Sequence, residues 1–184
     1  MRGFIFTELI EMVERSHGVD FVDQWLSSCE SSCGAAYTAV DSYSAEEMQG
    51  VVTRLGEMLE TPVSDLYRAY GEHLFEYLAR SHEALLADMS HPFDLFKRLD
   101  DHVHVEVSKL YVDAEVPRFA WKAPSEDQLV LEYRSSRGLA DLAEGLIVGA
   151  AKHFGTKVEI KREDLSDGKG QIVDFHLAVE APRE

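Results

Sequence analysis

Three groups of residues could do chemistry. The first is a set of eight histidines: His17, His73, His82, His91, His102, His104, His153 and His176. His102 and His104 are two apart in a helical stretch, so they point roughly 200° away from one another and cannot share a metal there. If Phe96, Leu99, Val103, Val107 and Leu110 are the buried stripe, each histidine lies about 100° from its centre. Periodicity alone does not choose between them, and two partly exposed surface histidines is the plain alternative. The second group is Cys29 and Cys33, a C-x3-C pair with no second Cys or His pair at zinc spacing, which reads as unmodified thiols in a loop. The third is Tyr133-Arg134-Ser135-Ser136-Arg137. In an extended segment alternate side chains share a face, which would cluster a phenol, a hydroxyl and a guanidinium suited to holding carboxylates. Taken alone, that pattern is equally a cross-strand polar cluster. No G-x-S-x-G, H-E-x-x-H, P-loop or G-x-G-x-x-G is present, and no carboxylate pair stands out as an acid/base couple.

The elements around these groups follow from periodicity. Ile5, Leu9, Met12 and Val13 recur at helical spacing up to His17-Gly18, and a short helix fits Val19 to Leu26. Residues 27–34 are small and polar, a loop. Ser44, with Glu47 three residues on, predicts a capping box opening a helix to about Leu59. Thr61-Pro62 predicts an N-cap and a first-turn proline for a helix with Val63, Leu66, Tyr67, Tyr70, Leu74, Tyr77 and Leu78 on one face. Another helix is expected from Pro92 through Leu110. Past Pro117 the pattern changes to strands at Gln128 to Tyr133, Lys157 to Lys161 and Gln171 to Glu180, the last two joined by the Asp167-Gly168-Lys169-Gly170 hairpin. A helix from Leu139 to Phe154 lies between strands, and Gly145 and Gly149 on it allow a neighbour to approach closely. The order predicts an α+β fold: a helical part, then an antiparallel sheet with one inserted helix.

The 184 residues suit one domain, and 45% hydrophobic residues suffice for a core. With 18 Lys+Arg against 34 Asp+Glu, the formal charge is −16, which disfavours nucleic acid and anionic membranes as partners. Glu8 and Glu11 interrupt the apolar opening before a secretory signal could form, and no run is long enough to span a membrane. A cytoplasmic protein in a reducing compartment is expected.

Read together, these features carry a resemblance. Tyr133-x-Ser135-x-Arg137 follows His104 by about thirty residues, His104 precedes Pro117 by thirteen, and the chain opens Met1-Arg2-Gly3-Phe4-Ile5-Phe6. This resembles the haem nitric oxide/oxygen binding (H-NOX) family, in particular its bacterial stand-alone NO sensors. The likeness covers essentially the whole chain. It implies a single domain over 1–184, with an N-terminal helical subdomain to about residue 60 and a haem-bearing subdomain with the sheet from about 61. It also implies a haem b between them. In that family pattern His104 would be the proximal iron ligand, Tyr133, Ser135 and Arg137 would hold the propionates, and Pro117 would press on the porphyrin. Leu142 stands where O₂-binding members carry a tyrosine donor. Ile5, Leu74, Leu78 and Leu146 would line the same side, all apolar, so NO and CO are expected to bind and O₂ to be excluded. Some bacterial relatives bind zinc through cysteines near the sheet; this chain has none after Cys33, so no such zinc is expected.

The resemblance therefore implies a non-enzymatic NO sensor. It would regulate a separate signalling protein, such as a histidine kinase or a cyclic-dinucleotide enzyme, by releasing His104. Two rivals come from other classes: a haem peroxidase or NO dioxygenase, which needs distal acid/base groups, and a non-haem ligand- or protein-binding module.

Overall fold

A computed structural model describes residues 1–31, 33–105 and 116–180. Helix α1 (Phe4–His17) buries Phe6, Leu9 and Val13 and ends at Gly18, whose φ of 83° closes the turn. Helix α2 (Val19–Ser27) buries Val22 and Trp25, and the Trp25 indole N–H donates to the Val51 carbonyl at 3.0 Å. Helix α3 (Ala45–Leu59) has the N-cap half of the expected capping box, with Ser44 Oγ accepting from the Glu47 backbone N–H at 3.0 Å. The Glu47 carboxylate also accepts from Ser31 at 2.6 Å and Tyr37 at 2.8 Å, tying the preceding loop to the helix.

Helix α4 (Val63–Ser81) begins one residue later than the sequence suggests. Pro62 is the N-cap, because its φ of −56° and ψ of 135° are extended, and Thr61 Oγ1 turns back to the Leu59 carbonyl at 3.1 Å. A short α5 (Glu83–Leu86) follows. The single helix expected from Pro92 is divided. α6 (Pro92–Lys97) is capped by His91, whose Nδ1 accepts from the Phe93 N–H at 3.2 Å. The chain then widens into a π-helical turn over Leu99–Val103, since the Arg98 carbonyl accepts from both His102 and Val103 at 3.0 Å. Val107 and Leu110 lie outside the described residues.

The sheet has the order β1-β2-β4-β3, every pair antiparallel: β1 (Arg118–Ser125), β2 (Gln128–Arg134), β3 (Val158–Asp164) and β4 (Ile172–Val179). β2 buries Leu129, Leu131 and Tyr133 and β4 buries Val173, Phe175 and Leu177, giving the alternation of a sheet covered on one face. Helix α7 (Ala140–His153) packs on α4, with the two backbones in close approach at Gly71 and Gly145. A Cβ on Gly145 would sit 2.1 Å from the Arg68 carbonyl oxygen, and one on Gly71 would sit 2.7 Å from Gly145 Cα.

Two cores result. Phe6, Leu9, Trp25, Leu55 and Tyr70 centre the first; Phe75, Phe93, Phe96, Leu131, Ile147 and Phe175 belong to the second. Helix α4 supplies both, and Leu146 of α7 packs against both.

Candidate functional site

A cavity of about 420 Å³ is lined by residues of both cores. That lies within the ~300–1,000 Å³ usual for small-molecule and cofactor sites. All ten residues singled out from the sequence line it: Ile5 of α1, Leu74 and Leu78 of α4, His104 beyond the π-helical turn, Pro117 before β1, Tyr133 of β2, Ser135 and Arg137 after it, and Leu142 and Leu146 of α7. The spacing explains much of this, since Leu74/Leu78 and Leu142/Leu146 are each four apart on one helix face.

The two helical histidines separate. His102 is exposed, whereas His104 is mostly buried against the Phe119 ring, with centroids 5.6 Å apart. Burial pushes the His104 pKa down, opposed by the Asp100 carboxylate 3.6 Å from Nδ1. The neutral imidazole, the form that ligates metals, is thereby favoured. Nδ1 is buried with no hydrogen-bond partner among the described residues.

The polar cluster is built by a turn rather than by one extended strand. β2 ends at Arg134, and the Ser135 N–H donates to the Gln171 carbonyl at 2.8 Å. Ser136 and Arg137 then turn, with the Arg137 N–H donating to Ser135 Oγ at 3.3 Å. Gly138 follows at φ 64°, with Lys169 O only 2.5 Å from where a Cβ would stand, so a side chain would break the turn. Tyr133 is 2% exposed, and desolvation raises its pKa, keeping the phenol a proton donor.

Leu142 is buried and offers no donor. His73 does not line the cavity; its Nε2 lies 3.5 Å from Glu8 Oε2. Sequence reasoning missed three polar members of the lining: Arg2, Ser42 and His82. His82 could have been found, because it continues the Leu74–Leu78 row by one more helical step. Arg2 and Ser42 could not, since they meet only through a bridge between distant segments. The two thiols are free and lie outside this lining, and burial raises Cys29.

The apolar walls, the neutral imidazole and the Tyr–Ser–Arg donor set fit a flat macrocycle carrying iron and two carboxylates.

A family sequence model described as Haem-NO-binding matches residues 2–162, and the chain belongs to this H-NOX family. The Fe(II) unliganded A71G H-NOX mutant from K. algicida superposes with a TM-score of 0.93 at 31% identity, over 99% of this chain and 98% of that one. An H-NOX protein from S. oneidensis in the Fe(II)NO ligation state superposes at 0.90 with 28% identity, over 98% of this chain and 100% of that one. Soluble guanylate cyclase gcy-35 of Caenorhabditis elegans is 21% identical over 169 residues, covering 89% of this chain and 25% of the cyclase. The chain thus spans about a quarter of the length of that curated relative. Among the described residues no helix is long and apolar enough to cross a membrane.

Proposed function

We propose that this chain is a cytoplasmic, non-enzymatic nitric oxide sensor that holds one haem b, binds NO and CO, excludes O₂ and regulates a separate signalling protein. The observation that carries this reading is the convergence of a buried, neutral-favoured His104 and the Tyr133–Ser135–Arg137 donors on one apolar cavity, whose Leu142 wall lacks a hydrogen-bond donor. His104 ligates iron; Tyr133, Ser135 and Arg137 hold propionates; Pro117, Ile5, Leu74, Leu78, Leu142 and Leu146 shape the walls. When bound, haem would supply the gas-binding chemistry, with the His104 imidazole as the residue that would hold its iron. A His104 released by NO would be able to move with the π-helical turn and with β1, which is tied to Asp100 by the Phe119 N–H at 2.9 Å. A division into a helical subdomain to about residue 60 and a haem-bearing subdomain beyond it gives two bodies that such a release can rotate. A formal charge of −16 suits a histidine kinase or cyclic-dinucleotide enzyme with a basic docking face. Peroxidase or dioxygenase chemistry needs distal acid/base groups, and the wall formed by Ile5, Leu74, Leu78, Leu142 and Leu146 is apolar.

The test is a visible spectrum of purified protein supplied with haem. A Soret band that shifts with NO and with CO, and no stable oxy form in air, is expected. No Soret band eliminates every haem reading; an air-stable oxy spectrum eliminates O₂ exclusion.

A further inference from the structure

We propose that the loop joining β3 to β4 positions the carboxylate-holding turn after β2, with Gln171 as the positioning residue. This rests on the haem reading above and adds to it a residue that does not line the cavity. Arg134, the last residue of β2, pairs with Ile172, the first of β4, so the turn over 135–138 runs beside the loop over 165–171. Gln171 grips that turn twice. Its carbonyl accepts the Ser135 N–H at 2.8 Å, and its side-chain Nε2 donates to the Ser136 carbonyl at 3.0 Å. Two glycines bring the segments into contact: a Cβ on Gly138 would lie 2.5 Å from Lys169 O, and one on Gly170 would lie 3.2 Å from Gly138 O.

The loop is itself cross-linked, so it can hold a neighbour in place. Asp164 Oδ1 accepts the Ser166 hydroxyl at 2.6 Å and the Ser166 N–H at 2.7 Å, and Oδ2 accepts the Gly170 N–H at 2.9 Å. Ser166 Oγ in turn accepts the N–H groups of Gln171 at 2.9 Å and Ile172 at 3.2 Å. The same donors hold the Asp164 carboxyl below its usual range, which keeps it an acceptor. Asp164 thus fixes Ser166, Ser166 fixes the Gln171 main chain, and Gln171 fixes the turn.

The turn needs that support. Within it the Arg137 N–H reaches Ser135 Oγ at 3.3 Å, long for such a bond. Donors that hold a ligand act well only when they are fixed to within about 0.5 Å by the residues behind them. Gln171 meets the turn through main-chain groups, so its influence on a bound carboxylate passes through Ser135 and Arg137. An effect of that kind is selective for the carboxylates of the ligand and indifferent to its apolar body.

The experiment compares loss of protohaem and of its dimethyl ester, which lacks the free carboxylates, from the whole protein to an acceptor apoprotein. Gln171→Met keeps the side chain's length and removes the donor. It should speed protohaem loss about fivefold, the scale of one net hydrogen bond, and leave the ester's rate unchanged. Asp164→Asn, whose amide nitrogen cannot accept, should show the same selectivity through the loop. Ser136→Ala keeps the accepting carbonyl and should match the unsubstituted protein with both pigments. Equal acceleration of both pigments by Gln171→Met, or of neither, overturns the positioning role, because the side chain then acts by general packing or not at all. If the unsubstituted protein takes up neither pigment, the haem reading itself fails, and the positioning role with it.

Discussion

Asp100 Oδ1 lies 3.6 Å from His104 Nδ1 and accepts the backbone N–H of Phe119 at 2.9 Å, so one carboxylate faces the imidazole and anchors the start of β1. Arg118 Nη1 is 3.6 Å from the other oxygen of the same group. A carboxylate behind a metal-bound imidazole raises its basicity and fixes its orientation. Asp100→Ala is therefore expected to lower the iron–histidine stretching frequency of the ferrous protein and to speed the loss of that bond under NO. An unchanged frequency by resonance Raman would show that Asp100 only ties down β1.

Leu142 is a buried apolar residue of the cavity wall, and in the proposed reading it stands where a donor would hold bound O₂. Leu142→Tyr should increase O₂ affinity by about five- to tenfold, the worth of one net hydrogen bond of ~1 kcal/mol. An O₂ titration of the ferrous variant checks this, with unchanged affinity meaning that the phenol does not reach the ligand.

Two helical glycines, one at the α4–α7 contact and one on an open face of α3, predict opposite effects of substitution. Gly145→Ala forces a methyl to within 2.1 Å of Arg68 O and should cost about 1–3 kcal/mol, or several degrees in Tm. In α3, Gly50 has nothing within 4 Å of its virtual Cβ, so Gly50→Ala should stabilise by about 0.5–1 kcal/mol through helix propensity. Thermal unfolding of the two variants tests the pair.

Glu8 is buried, and desolvation first, then Glu11, raises its carboxyl pKa, with His73 opposing. A raised acid pKa means that the folded state holds the proton more tightly than the unfolded chain. Stability from that group is full below the ordinary value of 4.5 and is lost as pH rises through the folded value. Glu8→Gln should therefore raise Tm at neutral pH, with the advantage shrinking as the solution is acidified toward 4.5. An advantage that grows on acidification would contradict this sign.

The sequence was most legible where periodicity and capping act locally. The Ser44 N-cap, the face of α4, the alternation of β2 and β4 and the Asp167-Gly168 turn all follow from spacing or side-chain chemistry. β1 was missed because almost every residue is exposed, so its pattern carries no alternation, and Pro124 disguises it further. The break at Arg98 was missed because Leu99 and Val103 keep helical spacing through a π-helical turn that periodicity cannot detect. The same turn explains why residue order alone could not separate His102 from His104. Leu142 and Arg137 could be assigned to one cavity with His104 only through the family pattern, because that depends on how α7 and the turn after β2 pack. Arg2 belongs to the opening that carries the resemblance, but its place in the cavity left no trace in the spacing, since it comes from a bridge to Ser42, forty residues away.

The most direct test of the account compares His104→Gly with His102→Ala in haem occupancy, read from the Soret band per chain with and without added imidazole. His104→Gly should lose the haem or retain it only when imidazole is supplied, while His102→Ala keeps full occupancy. Equal loss in both variants, or full imidazole-independent occupancy in His104→Gly, would contradict the assignment of His104 as the iron ligand.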